Sequence, residues 1–565
     1  MKKLLLFIVA LVTAVFLFTG CARLEKNILN LSFKRGLQFN LNEENNSYSV
    51  TFIGKKTGAE VIIPETYNGL PVTMIAPFAF MDCEDLVSIS IPSSITSIKK
   101  SAFKNCPNLK NVYISDIKAW CEISYDYGIL GLATSSPMLH ASNIFLNGEP
   151  LTDLVIPNDV TLISENAFRG CEGIKSLTIG ENVKRIEQSA FRDCVNIEKI
   201  YYNATSMDWV EEILSLDINE YSHVFSSVGT NTDGIEVVIG KNVKTLPKYL
   251  FSSYYPSKIT SVEFEEGSVC ESIGYKAFGN CQEIESVYLY DISAWCNISF
   301  GSDGGYYPYY SFETNPLYHA DILYLCGEPL TDLVIPDDIN EIKPIAFCGC
   351  DFLTGISIPD SVTYINEYAF LYCSGIIEKE NGIYYVDKWA IDYDSSATDI
   401  SFREDTIGIA EDAFYGCAGL SETELPCTIK YIGDSAFKNC SNLTSISLPE
   451  GIVSLCDSTF ENCTSLTELT IPDSVTSIGD RAFYGCASLT DIIVPNNVSS
   501  IGEYAFADCT SLTTVVISDS VSFIGEGAFD NCTSLSIYCK SQARPSDWSA
   551  FWNPNGCPVV WGYED

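Results

Sequence analysis

The side chains that most often carry chemistry are unevenly supplied in this sequence. Its 565 residues hold 23 cysteines and 73 Asp and Glu, but only three histidines, His140, His223 and His319. Cysteine and histidine are the usual zinc ligands, paired carboxylates can serve a glycosidase, and a histidine beside a serine or cysteine can activate a nucleophile. The spacing of these residues is therefore the evidence that distinguishes a reactive centre from a structural role.

Thirteen cysteines share one position, three residues after a phenylalanine. They are Cys83, Cys106, Cys171, Cys194, Cys281, Cys350, Cys373, Cys417, Cys440, Cys463, Cys486, Cys509 and Cys532. Stacked repeats would bring such cysteines within disulfide range, but side chains in register point the same way, and buried cysteine often acts as a small hydrophobic residue. We expect a ladder of free thiols, with disulfides, including Cys539–Cys557, as the alternative. Cys348-Gly349-Cys350 lacks the companion ligands of a zinc site.

No catalytic motif emerges from the remaining residues. The chain has no Gly-x-Ser-x-Gly, no His-Glu-x-x-His, no phosphate loop and no calcium loop. His140 and His319 occupy matching positions in two longer repeats, where hydrogen-bonded loop or core histidines are expected. The sequence predicts a protein that is not an enzyme and that has neither a cofactor nor a metal site.

The charge balance bears on the choice of partner. Against 73 acidic residues stand 33 Lys and Arg, a formal net charge of −40. Such a surface repels phosphate backbones, so we expect no nucleic-acid partner. A hydrophobic fraction of 46%, with 32 Tyr and 30 Phe, excludes a largely disordered chain.

One dipeptide, Ala-Phe, organises the chain. It stands at Ala79-Phe80, Ala102-Phe103, Ala167-Phe168, Ala190-Phe191, Ala277-Phe278, Ala346-Phe347, Ala369-Phe370, Ala413-Phe414, Ala436-Phe437, Ala482-Phe483, Ala505-Phe506 and Ala528-Phe529. From Phe414 to Phe529 this phenylalanine returns every 23 residues. A unit so short cannot bury its apolar side alone, so the units must stack.

Within one unit, Leu469-Thr470-Ile471 alternates as a strand does and Pro472 ends it. Ala482, Phe483 and Cys486 then face the core from a short helical turn. The predicted fold is a β-rich α/β solenoid of repeats of about 23 residues. Its coils should form a curved right-handed rod with a spacing of roughly 4.8 Å.

The pattern L-x-x-L-x-I-P-x-x-V-x-x-I-x-x-x-A-F-x-x-C resembles the BspA-type (treponemal-type) leucine-rich repeat over about residues 37–539. Members are mostly bacterial surface or secreted solenoids, and several are implicated in adhesion to host matrix proteins or to other bacteria. The resemblance implies a non-catalytic surface protein that mediates adhesion or protein–protein interaction. A carbohydrate-binding surface protein is the alternative.

The N-terminus carries an export signal. Lys2 and Lys3 precede an apolar run of 15 residues, too short for a transmembrane helix. It ends in Phe18-Thr19-Gly20-Cys21, which resembles a bacterial lipoprotein lipobox, although Leu is preferred where Phe18 stands. The resemblance implies a signal peptide at 1–20, lipid attachment at Cys21, a tether at 21–36, and an exported lipoprotein anchored in the membrane at the cell surface. An ordinary secretory signal is the alternative.

Longer repeats interrupt the period at residues 113–168 and 288–347, here named the first and second cassettes. Each contains Asp-Ile-x-Ala-Trp-Cys, then His-Ala, then Gly-Glu-Pro-Leu-Thr-Asp-Leu. Residues 201–251, with Trp209, resemble a decayed third copy. In residues 374–406 we expect two altered coils, with a hairpin turn at Asn381-Gly382.

Aromatic residues in the cassettes are the candidate ligand contacts, because exposed rings stack on sugars and mark interaction surfaces. They are Trp120, Trp295, Tyr306, Tyr307, Tyr309 and Tyr310. Packing of the cassette loops onto the solenoid is the alternative. The Trp-rich residues 540–565 are predicted to cap the last coil, with a sugar-stacking patch as the alternative. The expected partner is a protein of the host matrix or another cell surface, or a glycan.

Overall fold

The computed structural model describes residues 36–53, 58–126, 135–205, 224–225, 227–253, 256–302, 311–397 and 400–564. These residues form two compact units. The first contains the described residues up to Thr152 with Leu162–Gly173 and Ser189–Phe191; the second contains Asp153–Thr161, Ile174–Gln188 and the described residues from Arg192 onward. The proposed signal peptide, Cys21, nearly all of the tether and Trp209 lie outside the described residues.

Short strands, most of them two to five residues long, account for nearly all the regular structure. The first half of the chain contains β1 Gly36–Asn42, β2 Ser47–Ile53, β3 Glu60–Ile62, β4 Thr66–Tyr67, β5 Leu70–Ile75, β6 Ser88–Ile91, β7 Ser97–Ile98, β8 Asn111–Ile114, β9 Ser124–Tyr125, β10 Asn143–Leu146, β11 Glu149–Pro150, β12 Asp153–Val155, β13 Leu162–Ile163, β14 Ser176–Ile179, β15 Arg185–Ile186, β16 Lys199–Tyr202, β17 Ile235–Ile239, β18 Thr245–Leu246, β19 Ile259–Phe264, β20 Ser272–Ile273 and β21 Ser286–Leu289. The second half contains β22 Ser299–Phe300, β23 Ile322–Leu325, β24 Glu328–Leu330, β25 Asp332–Val334, β26 Glu341–Ile342, β27 Gly355–Ser357, β28 Tyr364–Ile365, β29 Ile377–Glu380, β30 Ile383–Val386, β31 Trp389–Tyr393, β32 Gly408–Ile409, β33 Glu422–Glu424, β34 Tyr431–Ile432, β35 Ser445–Ser447, β36 Ser454–Leu455, β37 Ser477–Ile478, β38 Asp491–Ile493, β39 Ser500–Ile501, β40 Thr514–Ile517, β41 Phe523–Ile524, β42 Ser536–Cys539 and β43 Val559–Trp561.

The first unit contains two ladders of mostly parallel strands. One begins with the antiparallel hairpin β1–β2 and continues β2-β5-β7-β9, and the other runs β3-β6-β8-β10 and ends at the antiparallel strand β11. Alternate residues point inward: Ile89, Val112 and Ile144 are at most 3% exposed. The unit is thus a stack of coils in which each strand lies beside the next, as the repeat spacing predicts.

The second unit contains the longest sheet, in the order β12-β14-β16-β17-β19-β21-β23-β24, parallel except for the last pair. Shorter ladders follow it, such as β36-β37-β39-β41 and β38-β40-β42-β43. These stacked coils, with little helix, confirm the predicted β-rich solenoid. At residues 468–470 the predicted strand is reduced to one bridge, Ser445 to Glu468, although Leu469 and Ile471 are buried as expected.

The repeated phenylalanine and cysteine build the core of each coil. From Phe414 to Phe529 the rings stack with centroids 5.2–5.5 Å apart and planes within 15° of parallel. The Sγ of Cys463 donates to the carbonyl of Phe437 in the preceding coil at 3.1 Å. The same bond recurs at Cys106, Cys373, Cys440, Cys486, Cys509 and Cys532. The 22 cysteines of the described residues form no disulfide bonds with one another, and the thirteen motif cysteines are buried.

The turn that carries Ala-Phe differs in detail from a helical turn. Three-residue hydrogen bonds close it, as in Tyr484 N to Arg481 O at 3.0 Å, but it holds two left-handed residues, Arg481 with φ 54° and Gly485 with φ 71°. The second position is Asn, Asp or Gly in the regular coils, which tolerate this conformation. These are Gly416, Asn439, Asn462, Gly485, Asp508 and Asn531.

Residues 374–406 depart from the two altered coils expected there. The Asn381-Gly382 turn is confirmed, with φ of 48° and 79°, and joins β29 to β30. A second tight turn at Asp387 then leads to β31, which makes an antiparallel three-stranded meander. Only β31 pairs in parallel with the next coil, at β32. The Asp387 turn was missed because no glycine marks it.

At the C-terminal end the tryptophans pack on the last coil. Trp548 and Trp552 are 2% and 5% exposed, and their ring centroids lie 4.9 Å apart. Trp552 meets Phe529 edge to face at 5.8 Å, and β43 pairs with β42. This burial favours the cap over the sugar-stacking patch. None of the helices among the described residues has the length and apolar character that a membrane span requires.

Candidate functional site

Each cassette is built around one short helix, α1 (Ile117–Cys121) in the first and α2 (Ile292–Cys296) in the second. An aspartate caps each helix: the Asp116 carboxylate accepts from Ala119 N at 2.7 Å, and that of Asp291 accepts from Ala294 N at 3.2 Å. The cap fixes where the helix begins and so fixes the tryptophan in its last turn.

Both cassette tryptophans lie in the interior. Trp120 and Trp295 are 2% and 1% exposed. Their indole Nε1 atoms donate to the carbonyls of Ala167 at 2.9 Å and Ala346 at 3.0 Å, the alanines of the following Ala-Phe motifs. A ring so placed presents no free face, which favours loop packing over direct ligand contact for these two residues. Tyr306, Tyr307, Tyr309 and Tyr310 lie outside the described residues, so their predicted role stays a prediction.

The Gly-Glu-Pro motif forms a hairpin that ends a parallel ladder. In the first cassette Asn147 and Gly148 have φ of 53° and 90°, and they turn β10 back onto β11. In the second, Cys326 and Gly327 have φ of 51° and 86° and turn β23 onto β24. The positive φ at both positions is what a type I′ turn requires. Each hairpin therefore places a proline on the exposed side of the sheet.

Across the longest sheet the register brings one outward residue from each strand into a continuous line, here named the outer row. Its members are Val155, Thr178, Tyr201, Val238, Glu263, Tyr288, Tyr324 and Pro329. All of them are exposed or half-exposed except Val238, which is 5% exposed. The residues before them, such as Leu177, Val262 and Leu323, are fully buried, so the row lies on the opposite face of the sheet. Eight strands at roughly 4.8 Å apart make the row about 34 Å long.

The outer row is aromatic where the second cassette joins the sheet. The rings of Tyr288 and Tyr324 stack at 4.7 Å, and Tyr324 is paired in register with Pro329. Further along, Lys199 Nζ lies 5.1 Å from the Tyr201 ring and 2.9 Å from the Glu236 carboxylate. Half-exposed aromatic rings with a few charges are the composition of protein-binding surfaces.

The first unit has a shorter equivalent. Tyr113 and Phe145 stack at 4.6 Å on β8 and β10, and Phe145 is paired with Pro150. The sequence analysis did not identify these residues or the outer row. Strand alternation predicts which of them point outward. Their alignment depends on long connections, because paired residues of neighbouring strands are 32 to 37 positions apart in the sequence, as Lys199 and Glu236 are.

Other reactive groups of the described residues are shielded. Burial lowers the pKa of His140 and His319, which favours neutral imidazoles. Burial raises the pKa of the Cys463 and Cys532 thiols to about 12, which suppresses thiolate chemistry there. Among the described residues no three His, Cys, Asp or Glu side chains converge in a way that could hold a metal ion.

Carboxylates gather where the second unit returns to regular coils. The backbone N of Glu367 donates to the Glu411 carboxylate at 3.2 Å, and Asp412 and Asp434 lie close by. Burial, reinforced by these neighbouring charges, raises the pKa of Glu367 to about 8 and that of Glu411 to about 7. Repelling acids of this kind hold protons near neutral pH.

Solved structures of similar chains include bacterial leucine-rich repeat proteins. The leucine-rich repeat protein TpLRR of T. pallidum is 32% identical over 26% of this chain and 72% of that one, with a TM-score of 0.26. A leucine-rich repeat protein of Bacteroides ovatus is 20% identical over 94% and 99% of the two chains, with a TM-score of 0.25. A leucine rich cell surface protein of Faecalibacterium prausnitzii is 20% identical over 94% and 98%, with a TM-score of 0.24. No curated protein matches the chain.

The profile of the BspA type leucine rich repeat region matches in six copies. The matched residues are 39–125, 141–215, 220–302, 320–444 and 430–556. They cover most of the sequence, including the beginning and end of each cassette. The chain belongs to the BspA-type leucine-rich repeat family, a class of repeat proteins whose solenoids serve as scaffolds for protein interactions.

Proposed function

We propose that this protein is a lipid-anchored adhesion protein of the bacterial cell surface, which binds protein ligands and catalyses no reaction. The observation that carries the proposal is the outer row, a line of aromatic and aliphatic side chains on the longest sheet that is exposed or half-exposed except at the buried Val238. Such a line gives a partner a contact that is extended and shallow, the kind that solenoids use.

The anchor belongs to the same proposal. Lys2 and Lys3, the apolar run and Cys21 support export and lipid attachment. Metabolic labelling with a fatty acid in a bacterial host should mark the chain, and Cys21→Ser should abolish the label. A Cys326→Ser chain is the matched control, since Cys326 is an exposed cysteine of the solenoid. Equal labelling of the Cys21→Ser chain would contradict lipidation at this residue.

Binding can be tested with the chain from residue 22 onward, which keeps every described residue. Purified extracellular-matrix proteins are the probes, measured by surface plasmon resonance. Replacing Tyr201, Tyr288 and Tyr324 by serine should weaken the Kd of a bound matrix protein by about tenfold or more, because aromatic residues dominate such contacts. Tyr415→Ser is the matched control, because Tyr415 is 48% exposed and lies in a coil turn outside the row.

The net charge of −40 adds an expectation on salt. A partner recognised partly through its basic residues should bind more weakly as the salt concentration rises, because ions screen exposed charges. The same resonance measurement at two salt concentrations checks this. A Kd that changes neither with salt concentration nor with the three tyrosine substitutions would contradict binding through the outer row.

A further inference from the structure

A second surface of the second cassette gathers aromatic rings on the side of the coil turns. Phe312 and Tyr318 come from the connection that follows α2, and Tyr368 and Tyr372 from the turn of the coil after the cassette. The Phe312 ring lies 5.4 Å from Tyr318, 5.9 Å from Tyr368 and 6.0 Å from Tyr372, and Tyr318 lies 6.2 Å from Tyr372. These four residues are named the ring cluster.

The backbone holds the connection firmly against the coil below. Asn315 is fully buried, and its Nδ2 donates to the carbonyls of Ile345 at 2.7 Å and Ala346 at 3.0 Å. Gly349, with φ 85°, lets Tyr318 approach, since a Cβ there would lie 2.7 Å from Tyr318 Cα. The rings therefore sit on a fixed frame rather than on a free loop.

Tyr372 stands where the regular coils carry Asn, Asp or Gly, whereas Tyr368 stands at a left-handed position that other coils fill with residues as varied as Ser435, Arg481 and Tyr504. Tyr368 and Tyr372 have φ of 57° and 62°, and they remain 48% and 56% exposed. The corresponding residues in a regular coil are Ser435 and Asn439. A tyrosine in the left-handed region is strained, and such strain tends to persist at functional sites. Neither ring is buried well enough for core packing to explain this choice.

Polar atoms border the rings. Tyr318, His319, Gly349 and Tyr372 line an open groove of about 580 Å3 together with Gln282, Asp351 and Ser374. The Asp351 Oδ1 atom accepts from Ser374 N at 2.9 Å. The Nε2 atom of His319 is buried and has no hydrogen-bond partner among the described residues. Flat rings beside a carboxylate, an amide and an unpaired imidazole nitrogen make a site with few but convergent polar groups.

We infer that this groove is a binding site for a neutral saccharide. A pyranose ring has an apolar face of C–H groups that can lie on a tyrosine and a rim of hydroxyls that can bond to Asp351 and Gln282. Glu313, next to Phe312 in the chain, is paired with Lys276 Nζ at 3.7 Å, so the negative charge at the groove is mainly that of Asp351. With the net charge of −40, Asp351 disfavours anionic ligands such as phosphates and acidic sugars. The first cassette has Leu139 where the second has Tyr318, and the coil after the first has Ser189 and Asp193 where the coil after the second has Tyr368 and Tyr372, so the aromatic groove is specific to the second cassette and its following coil.

The test uses the chain from residue 22 onward on an array of neutral hexose and N-acetylhexosamine glycans, followed by calorimetry with the best-bound glycan. The variant combines Tyr368→Ser and Tyr372→Asn, which restores the residues of a regular coil and relieves strain, so the fold should be kept. Signal should fall by about tenfold or more, since each stacked ring contributes on the order of a factor of ten. Tyr504→Ser is the matched control, because Tyr504 has φ 53° in a regular coil away from the groove.

A second variant, Asp351→Asn, keeps an oxygen for Ser374 but removes the charge, and it should weaken the glycan by about tenfold through loss of a charged hydrogen bond. Absence of any glycan signal from the unaltered chain would overturn the inference. So would a signal that the double variant retains, which would indicate sugar binding elsewhere. Matrix-protein binding through the outer row should be unchanged in both variants, so the two proposals fail separately.

Discussion

The two cassettes share a frame and differ at their surfaces. In both, a capped helix of five residues buries a tryptophan that bonds to the next Ala-Phe motif, and a Gly-Glu-Pro hairpin ends a ladder. The histidines His140 and His319 also correspond. Only the second cassette has Tyr318, with Tyr368 and Tyr372 in the coil that follows it, where the first region has Leu139, Ser189 and Asp193.

The comparison of the two cassettes shows which parts of a duplicated module keep their sequence and which parts change. Residues that repeat are those whose burial or hydrogen bonds define the frame, and residues that diverge lie on solvent. The motif most visible in the sequence, Ala-Trp-Cys, is therefore structural, whereas the less visible substitutions around it mark the candidate binding surface.

The largest expected effect is that of removing the buried tryptophan of each cassette, and it tests whether the two cassettes are held together in the same way. Trp120→Ala and Trp295→Ala should each lower the free energy of local unfolding by about 3–5 kcal/mol, because each removes a buried ring and an indole hydrogen bond. Hydrogen exchange of residues 111–125 and 286–300 measures the two losses. A large loss in one cassette with little in the other would break the comparison.

The second effect is a pH dependence of stability, which should differ between the two coils that follow the cassettes. Protonated Glu367 and Glu411 stabilise the fold below an unfolded-state pKa near 4.5, and this contribution is lost as the pH rises through their folded pKa values of about 8 and 7. Hydrogen exchange at residues 364–370 should accelerate between pH 5 and pH 8 more than expected for exchange chemistry alone, and Glu367→Gln should remove the excess. The coil after the first cassette has Gln188 at this position and should show no such excess.

A smaller effect concerns the helix caps. Asp116→Ala and Asp291→Ala should each cost about 1 kcal/mol, because each leaves a helix N–H without its acceptor. The loss should be greater for Asp116, whose bond to Ala119 N is 2.7 Å against 3.2 Å for Asp291 and Ala294. Local hydrogen exchange again provides the measurement, and equal or reversed losses would contradict the ranking.

The smallest effect has the opposite sign. Tyr372→Asn should raise the thermal unfolding temperature slightly, because asparagine adopts the left-handed backbone more readily than tyrosine. Asp193→Asn, at the matching place after the first cassette, is the control and should change little, since Asp193 already tolerates φ 62°. Destabilisation by Tyr372→Asn would show that the exposed ring contributes to the fold.

The repeat was predictable because each coil solves the same packing problem with the same residues. Phe483 and Cys486 fall inward as their spacing predicts, and Asn381-Gly382 forms the hairpin that its type requires. The burial of Trp295 was not predictable, since a tryptophan in an irregular segment suits a binding loop and a core equally well. The ring cluster brings together residues as far apart in the sequence as Phe312 and Tyr372. No local sequence pattern predicts that Tyr318 lies over Gly349.

The cysteine ladder has a consequence for how the molecule comes apart. Motif thiols such as that of Cys486 lie between two windings, and the Cys486 Sγ donates to the Phe460 carbonyl of the winding before it. An alkylating reagent can reach such a sulfur only after those two windings part. The order in which the thirteen sulfurs become alkylated would therefore show which windings unfold first and how far unfolding spreads. The natural cysteines are the reporters, so no labelling site has to be introduced.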